Sequence, residues 1–355
     1  MRRTLGIVLA SFALVAAACS NGGQTESATP PAEEPTSSTT SATTTAPDAS
    51  TTVVESTTTT AAPTPTPPPT TAPPSAQAFT GPVPKAVLTA TGITAPVVGQ
   101  EGEALLVGTP CGNTSPIRSG TPVDGVVVLD AGHGGVEPGA VGPNGLSERQ
   151  LNLAVTGFVR QHLEANKVGV VLTRNEQYRI TIDARAKIVS AIKPKAFVSI
   201  HFNAEPDGPR DGPGAETYYQ TKGSTAAGSK RLSGLIYEET VRALSQYSGI
   251  AWVADRDAGT KYRTSSSGND YYGILRTTQG TPASLAELGF ISNPPEAELY
   301  ARADVQKVLG EAVGNGILRF LRTKDPGSGF VEPYPREQTA GGGGGKSNCT
   351  DPPLS

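Results

Sequence analysis

The sequence has few residues of the types that bind metals or cross-link chains, with three Cys and three His among 355 residues. Charged residues make up only 17% of the chain, the formal net charge is −3, and no stretch is rich in Lys and Arg. A nucleic-acid-binding surface needs such a basic stretch, so nucleic acid is excluded as an expected partner. Because His is scarce, each histidine can be assessed by its own surroundings.

Proline and glycine are abundant by contrast, with 31 and 41 residues, so much of the chain is not packed core. The segment 20–80 is almost entirely Thr, Ser, Pro, Ala and Glu, which predicts a disordered linker because little apolar surface is available for burial. Changes in composition divide the chain into five parts. They are an export signal (1–19), the linker (20–80), a short β-rich addition (81–122), the main domain (123–323) and a Gly/Pro-rich mobile tail (324–355).

The first 19 residues have the layout of an export signal. Arg2 and Arg3 precede an apolar run at 5–18, which is too short to span a bilayer comfortably. The run ends in small residues followed by Cys19, as in the lipobox of bacterial lipoproteins, which favours lipidation of Cys19. The alternative is a freely secreted protein. We therefore expect an exported protein of the cell envelope, which contacts the membrane only through a lipid on Cys19 or is secreted to the cell wall.

The hydrophobic pattern predicts an α/β fold. Between residues 83 and 122, short apolar pieces separated by Gly and Pro indicate two or three strands. From residue 125 to about 321, apolar strands alternate with amphipathic helices, which is typical of a single domain with a mainly parallel sheet.

Two of the histidines directly follow apolar runs long enough to be buried strands. His133 lies just after the run 126–129 and is surrounded by glycines, which leave access to it open. His201 follows the run 197–200 in the same way. Taken singly, either histidine is more often a hydrogen-bonded core residue than a metal ligand. The third, His162, lies on the apolar face of a helix and is interpreted as structural.

Two glutamates complete the candidate site. Ser147 and Gln150 form a capping-box pattern, which places Glu148 at the first position of a helix, where the helix dipole favours its ionised form. Glu287 lies within or just beyond the apolar run 283–286. Ligands gather at the carboxyl ends of parallel strands, so both glutamates are expected in one crevice with the two histidines. Two His and one carboxylate form a zinc-hydrolase ligand set, and a further carboxylate is the usual general base.

With these motifs the sequence resembles the zinc-dependent N-acetylmuramoyl-L-alanine amidases of the bacterial cell wall, the amidase 3 family, over about residues 126–321. The matching segments are DAGHGG, GLSERQLNL, the TR of VVLTRNE, the region of Arg185, VSIHFNA, the segment 275–277 and ELGFISNPPE. The resemblance implies a mixed sheet of about six strands flanked by helices. It also implies hydrolysis of the amide between muramic acid and L-alanine in peptidoglycan, for cell-wall remodelling, daughter-cell separation or recycling.

The resemblance also implies roles for individual residues. His133, Glu148 and His201 match the ligands of a single Zn²⁺, and Glu287 matches the catalytic glutamate. Within the matching segments, Asn203 and Arg276 are the candidates for substrate binding. Peptidoglycan or its muropeptide fragments are the expected partners. Two other functions stay open, a non-catalytic peptidoglycan-binding or regulatory protein on this scaffold and a zinc peptidase that cuts within the stem peptide.

Two features lie outside these motifs. If Cys19 is lipidated, Cys111 and Cys349 remain, and a pair of cysteines in an exported protein predicts a disulfide; the alternative is two free thiols. The segment 252–273 is rich in Ser, Gly and charge and contains three Tyr. A segment of this kind is either a lid beside the zinc crevice or an excursion on the surface.

Overall fold

The computed structural model describes Phe79, Trp252 and the ranges 81–205, 214–250, 258–332 and 344–355. The chain divides into two units, Met1–Thr57 and Thr58–Ser355, and every described residue lies in the second. The expected export signal, Cys19 and nearly all of the linker lie outside the described residues. Within the described part of the chain, every helix is too short or too polar to cross a membrane.

The β-rich addition forms a five-stranded antiparallel sheet with the strand order β4-β3-β2-β1-β5. The sequence pattern predicted only two or three strands, because the last two are short, polar and contain Pro, so they show no apolar alternation. The strands are β1 (Ala86–Leu88), β2 (Thr94–Glu101), β3 (Ala104–Gly108), β4 (Thr114–Ile117) and β5 (Thr121–Pro122).

The main domain contains a mixed six-stranded sheet with the order β10-β9-β11-β8-β6-β7. All neighbouring strands are parallel except β9 and β11, which confirms the prediction of a mainly parallel sheet of about six strands. The strands are β6 (Val127–Ala131), β7 (Val170–Leu172), β8 (Ala196–Asn203), β9 (Glu216–Tyr219), β10 (Gly259–Lys261) and β11 (Ala283–Phe290).

Helices cover both faces of this sheet. Val127 and Leu129 of β6 pack with α1, α3 and α6, whereas Val128 between them packs with α2 and α4. This alternation explains the continuous apolar run, because a strand buried on both faces has no polar side to expose. The helices are α1 (Glu148–Ala165), α2 (Ile182–Ile192), α3 (Ala226–Leu244), α4 (Gly273–Thr277), α5 (Pro294–Tyr300) and α6 (Ala303–Arg322).

Helix α1 begins at Glu148 as expected, but the predicted capping box does not form. The Ser147 side chain makes no cap hydrogen bond, and its hydroxyl donates to the Pro138 carbonyl at 3.3 Å instead. The preceding loop folds back on the helix, so the backbone N–H groups of Glu148 and Arg149 donate to the carbonyls of Ala140 and Pro138. Backbone acceptors of the loop therefore satisfy the first turn of the helix, and no capping side chain is needed.

The composition of the tail predicts mobility, yet its described parts make specific contacts. The backbone N–H of Thr260 on β10 donates to the Gly329 carbonyl, and the Thr260 carbonyl accepts from the Val331 N–H. Further along, Cys349 is joined to Cys111 by a disulfide. Hydrogen-bond partners so distant in sequence leave no mark on local composition, so these hydrogen bonds could not be predicted, whereas the cysteine content did predict the disulfide.

Candidate metal centre and active site

The three expected metal ligands meet at the carboxyl ends of the central strands. His133 follows β6, His201 lies near the end of β8, and Glu148 opens α1. One potential ligand atom from each lies within 4.8 Å of the other two. Three groups far apart in the sequence thus form one cluster of two imidazoles and a carboxylate.

Glu148 lies at the centre of this cluster. Its two carboxylate oxygens are 3.1 Å from His133 Nε2 and 3.0 Å from His201 Nδ1. The backbone N–H groups of Ala140 and Phe202 also donate to it, at 2.8 and 3.2 Å. Burial alone would raise the pKa of the Glu148 carboxyl, but the hydrogen bonds from both histidines outweigh it and hold the pKa well below its usual range. The group is therefore ionised and able to bind a cation.

His201 is the more enclosed of the two histidines. Burial lowers the pKa of its imidazole, against the opposing effect of the Glu148 hydrogen bond, so the neutral ring that can donate a lone pair is favoured. Its ring packs edge-on against His133 with the centroids 5.0 Å apart. A Cβ at Gly132 would lie 2.2 Å from His201 Cε1, so only glycine leaves room for this ring.

Two arginines fix the backbone that carries His133. This residue has a φ of +59°, a strained conformation for a non-glycine residue. Arg185 donates to the His133 carbonyl at 2.7 Å, and Arg174, which is fully buried, donates to the carbonyls of Ala131 and Gly132, both at 2.8 Å. These bonds hold the loop in the strained geometry that points His133 at Glu148.

Sequence reasoning missed the carboxylate beneath this loop. Asp130 is buried on β6, where it accepts hydrogen bonds from Arg185 and Thr173 and, at 2.7 Å, from Ser199. Burial would raise the pKa of Asp130, but Arg185 and the two hydroxyls together hold it below its usual value. Asp130 is the first residue of the matched segment DAGHGG, but nothing in the sequence indicates its pairing with Arg185.

Glu287 lies on β11, between strands β8 and β9 of the main sheet. In the strand registers it is level with His201 of β8 on one side and with Glu216 of β9 on the other. Its Oε2 atom is buried without a hydrogen-bond partner among the described residues. Desolvation raises the pKa of the Glu287 carboxyl well above its usual value, and the nearby carboxylates of Glu148 and Glu216 raise it further.

Glu216 itself is neutralised by a buried cation. Lys261 of β10 lies 3.0 Å from one of its oxygens, and the Tyr218 hydroxyl and the Asn203 amide donate to the other at 2.6 and 2.9 Å. Asn203, a candidate for substrate binding, therefore contacts Glu216. Its own Oδ1 accepts from the backbone N–H of Ala204 at 2.9 Å.

A cavity of about 540 Å³ opens over the cluster. His133, His201 and Glu287 line its floor, and the sequence candidate Arg276 lies on its wall. Tyr271 and Tyr272, from the segment 252–273, also line the cavity, so part of this segment does lie beside the cluster. Residues 253–257 of the segment lie outside the described residues.

His162 is remote from this cavity. Its Nε2 atom is 2.8 Å from Asn315 Oδ1, across the contact between α1 and α6, which agrees with the structural role expected for it.

Comparisons with known proteins show the family of this chain. The family model Amidase_3, described as N-acetylmuramoyl-L-alanine amidase, matches residues 127–319, which is more than half of the chain. The uncharacterized protein YqiI of Bacillus subtilis is 35% identical over 201 residues, covering 56% of this chain and 87% of YqiI. The germination-specific N-acetylmuramoyl-L-alanine amidase of the same organism is 28% identical, covering 58% of this chain and 84% of that protein.

A solved structure shares the fold over the same part of the chain. Cwp6 from Clostridium difficile superposes with a TM-score of 0.50 and 28% sequence identity, covering 56% of this chain and 30% of that chain.

Proposed function

This chain belongs to the Amidase_3 family and is an N-acetylmuramoyl-L-alanine amidase, and we propose that it hydrolyses the amide between N-acetylmuramic acid and L-alanine in peptidoglycan with one zinc ion. The observation that carries the proposal is the cluster of His133, Glu148 and His201. Two members of this cluster, His133 and His201, line the same cavity as Glu287.

The donor set fits zinc. Two imidazole nitrogens and one carboxylate oxygen are the ligands of catalytic zinc sites that keep a fourth position open. The ionised Glu148 and the neutral His201 favoured by their lowered pKa values are the forms that bind a cation. When bound, zinc supplies Lewis-acid chemistry, since it polarises a carbonyl and makes water more acidic.

Glu287 is the proposed general base. Its free Oε2 can accept the proton of the attacking water and then deliver it to the amine that leaves with the peptide. A raised pKa suits this role, because it makes the ionised carboxylate a stronger acceptor for the proton of water.

Asn203 and Arg276 support the site indirectly in this proposal. Asn203 holds Glu216 beside the general base, and Arg276 donates to the carbonyls of Asp270 and Tyr271 at 2.7 and 3.0 Å. The second contact keeps Tyr271 on the cavity wall.

Because peptidoglycan lies outside the cytoplasm, we also propose that the chain is exported through residues 1–19 and acts in the cell envelope. Lipid attachment at Cys19 would tether the domain through the linker 20–80, and the remodelling of the wall, daughter-cell separation or recycling would be its role.

Mass analysis of the products from purified peptidoglycan tests the proposal. Free stem peptides beginning with L-alanine are expected, and a chelator should abolish their release. Glu287→Gln should keep the fold and the zinc while lowering turnover at least about a hundredfold, the usual contribution of a general base. Glu311 is partly exposed on α6, where it pairs with Lys307, and Glu311→Gln offers a matched control with normal turnover. Products cut within the stem peptide would identify a peptidase instead, and no product would indicate a binding protein.

A further inference from the structure

Part of the C-terminal tail forms a wall of the catalytic cavity. Gly344, Gly345 and Lys346 line the same cavity as His201 and Glu287. These three residues, here called the tail wall, lie outside the family match at 127–319. The cavity of this chain therefore has a side that the family motifs do not specify.

The tail wall is fastened on both sides. On one side, the Ile182 N–H donates to the Gly344 carbonyl at 3.1 Å, and Arg179 donates to the Gly345 carbonyl at 2.8 Å. Gly344 has a φ of +82°, and a Cβ there would lie 2.5 Å from Ile182 Cδ1, so glycine permits this close approach.

On the other side, the disulfide between Cys111 and Cys349 joins the segment to the β-rich addition. The Asp351 carboxylate adds three hydrogen bonds, accepting from the Cys111 N–H at 2.7 Å and from Thr109 Oγ1 and Asn113 Nδ2 at 2.8 Å each. A segment held by a covalent bond and by these contacts keeps its backbone at a fixed place beside the cavity.

Among the described residues that line the cavity, three carry a positive charge. Arg185 is paired with Asp130, and Arg276 donates to two backbone carbonyls. Lys346 is exposed, and the described residues give it one long contact, 3.4 Å from its Nζ to the Gly112 carbonyl. The carboxylates of Glu137 and Asp183 line the same cavity, so an anionic ligand is repelled unless a free cation offsets them.

We propose that the tail wall determines substrate specificity and that the Lys346 ammonium binds a carboxylate on the peptide part of the substrate. This inference rests on the proposed function, because it places a muramoyl peptide in the cavity. The disulfide then contributes to specificity as well as to folding, since it holds Lys346 beside the cavity.

Binding of an uncut ligand tests the inference. The ligands are an N-acetylmuramoyl peptide that ends in a free carboxylate and the same peptide that ends in a carboxamide. Titration calorimetry with the full-length Glu287→Gln protein should give about fivefold tighter binding of the carboxylate form, the effect of one exposed ion pair. Adding Lys346→Ala should remove this preference, and adding Lys346→Arg should keep it. Lys195 is an exposed lysine that does not line the cavity, so Lys195→Ala should also keep the preference.

A double change of Cys111→Ser and Cys349→Ser should reduce the preference in a protein that still folds at the assay temperature. The inference would be overturned if the Glu287→Gln protein bound both ligands equally or bound neither. It would also be overturned if the preference for the carboxylate form survived Lys346→Ala, which is the result expected if Lys346 only pairs with Asp183. The products released by the wild-type protein test the function separately, so failure of the specificity and failure of the reaction are distinguishable.

Discussion

At the scale of single residues, the metal centre depends on hydrogen bonds that keep each donor in the form that binds a cation. Glu148 receives bonds from both histidines and from two backbone N–H groups, and these bonds keep its carboxylate ionised despite burial. Asn152 adds a further contact, with its amide 3.3 Å from Glu148 Oε1. Such hydrogen bonds orient the metal ligands and are as much a part of a metal site as the ligands themselves.

Removal of one histidine should empty the site. His201→Ala takes away one of three proposed ligands, so the purified protein should fall from about one zinc per chain to a small fraction of that value. Elemental analysis after gel filtration measures the zinc content per chain. His162→Ala is the matched control, because His162 bonds to Asn315 far from the cavity and its loss should leave the zinc content unchanged. Full zinc occupancy in the His201 variant would refute the ligand assignment.

The Asp130–Arg185 pair should make stability depend on acid pH. The pKa of Asp130 in the folded protein is below its ordinary value of 3.8, so the pair stabilises the fold fully above that pH. Its contribution is lost as the pH falls through the folded pKa. Asp130→Asn leaves the buried Arg185 unpaired and should cost about 3–5 kcal/mol in the free energy of unfolding at pH 7. The difference from wild type should shrink in urea titrations below pH 3.8.

A carboxylate on the same face of the protein provides the comparison for this variant. Asp183 is exposed in the first turn of α2, so Asp183→Asn should cost at most about 1 kcal/mol. A stability difference for Asp130→Asn that does not change with pH would mean that Asp130 is not ionised in the folded protein.

At the scale of secondary-structure elements, the segment 252–273 combines a strand with part of the cavity wall. It contains β10, an edge strand of the main sheet whose Lys261 neutralises Glu216, so a deletion here would damage the sheet. A substitution at Tyr271 tests the role of the segment without removing β10. Tyr271 lines the cavity, and the Arg263 guanidinium lies 3.6 Å from its ring centroid.

If this segment limits substrate entry, Tyr271 should contribute to binding of the glycan. Tyr271→Ala should then raise KM for polymeric peptidoglycan about threefold or more, the effect of one aromatic contact, with a smaller change for a short muramoyl peptide. Tyr262→Ala is the control, because its ring packs on Tyr219 and does not line the cavity. Equal effects of Tyr271→Ala on both substrates would leave the segment without a role in gating.

The same elements show which features a sequence can reveal. His133 follows β6 and His201 lies near the end of β8. Both strands are buried on both faces, and an apolar run that gives way to polar residues is a local signal. The start of α1 was predicted for the wrong reason, because the carbonyls that satisfy its first turn come from a loop whose path is not local. The contacts of Asp130 with Arg185 and of Glu216 with Lys261 join residues 55 and 45 positions apart. Only the completed fold brings such pairs together.

At the scale of the whole molecule, a disulfide links two distant parts of the described chain. The disulfide joins residues 238 positions apart and ties the tail to the β-rich addition, with the main domain lying between them in sequence. In the chain-entropy model a loop of this length stabilises the folded state by about 5–6 kcal/mol, because it restricts the unfolded chain. Replacing both cysteines with Ser should therefore lower the melting temperature by about 10 °C.

Differential scanning calorimetry of the double variant measures this change, and a reducing agent should lower the melting temperature of the wild-type protein by a similar amount. The Asp351→Asn variant separates the covalent link from the contacts around it, since Asp351 bonds to Thr109, Cys111 and Asn113 while the disulfide stays intact. Asp351→Asn should lower the free energy of unfolding by only about 1–3 kcal/mol. An unchanged melting temperature in both the double variant and the reduced protein would mean that the disulfide contributes nothing to stability. The disulfide would then matter only for the shape of the cavity.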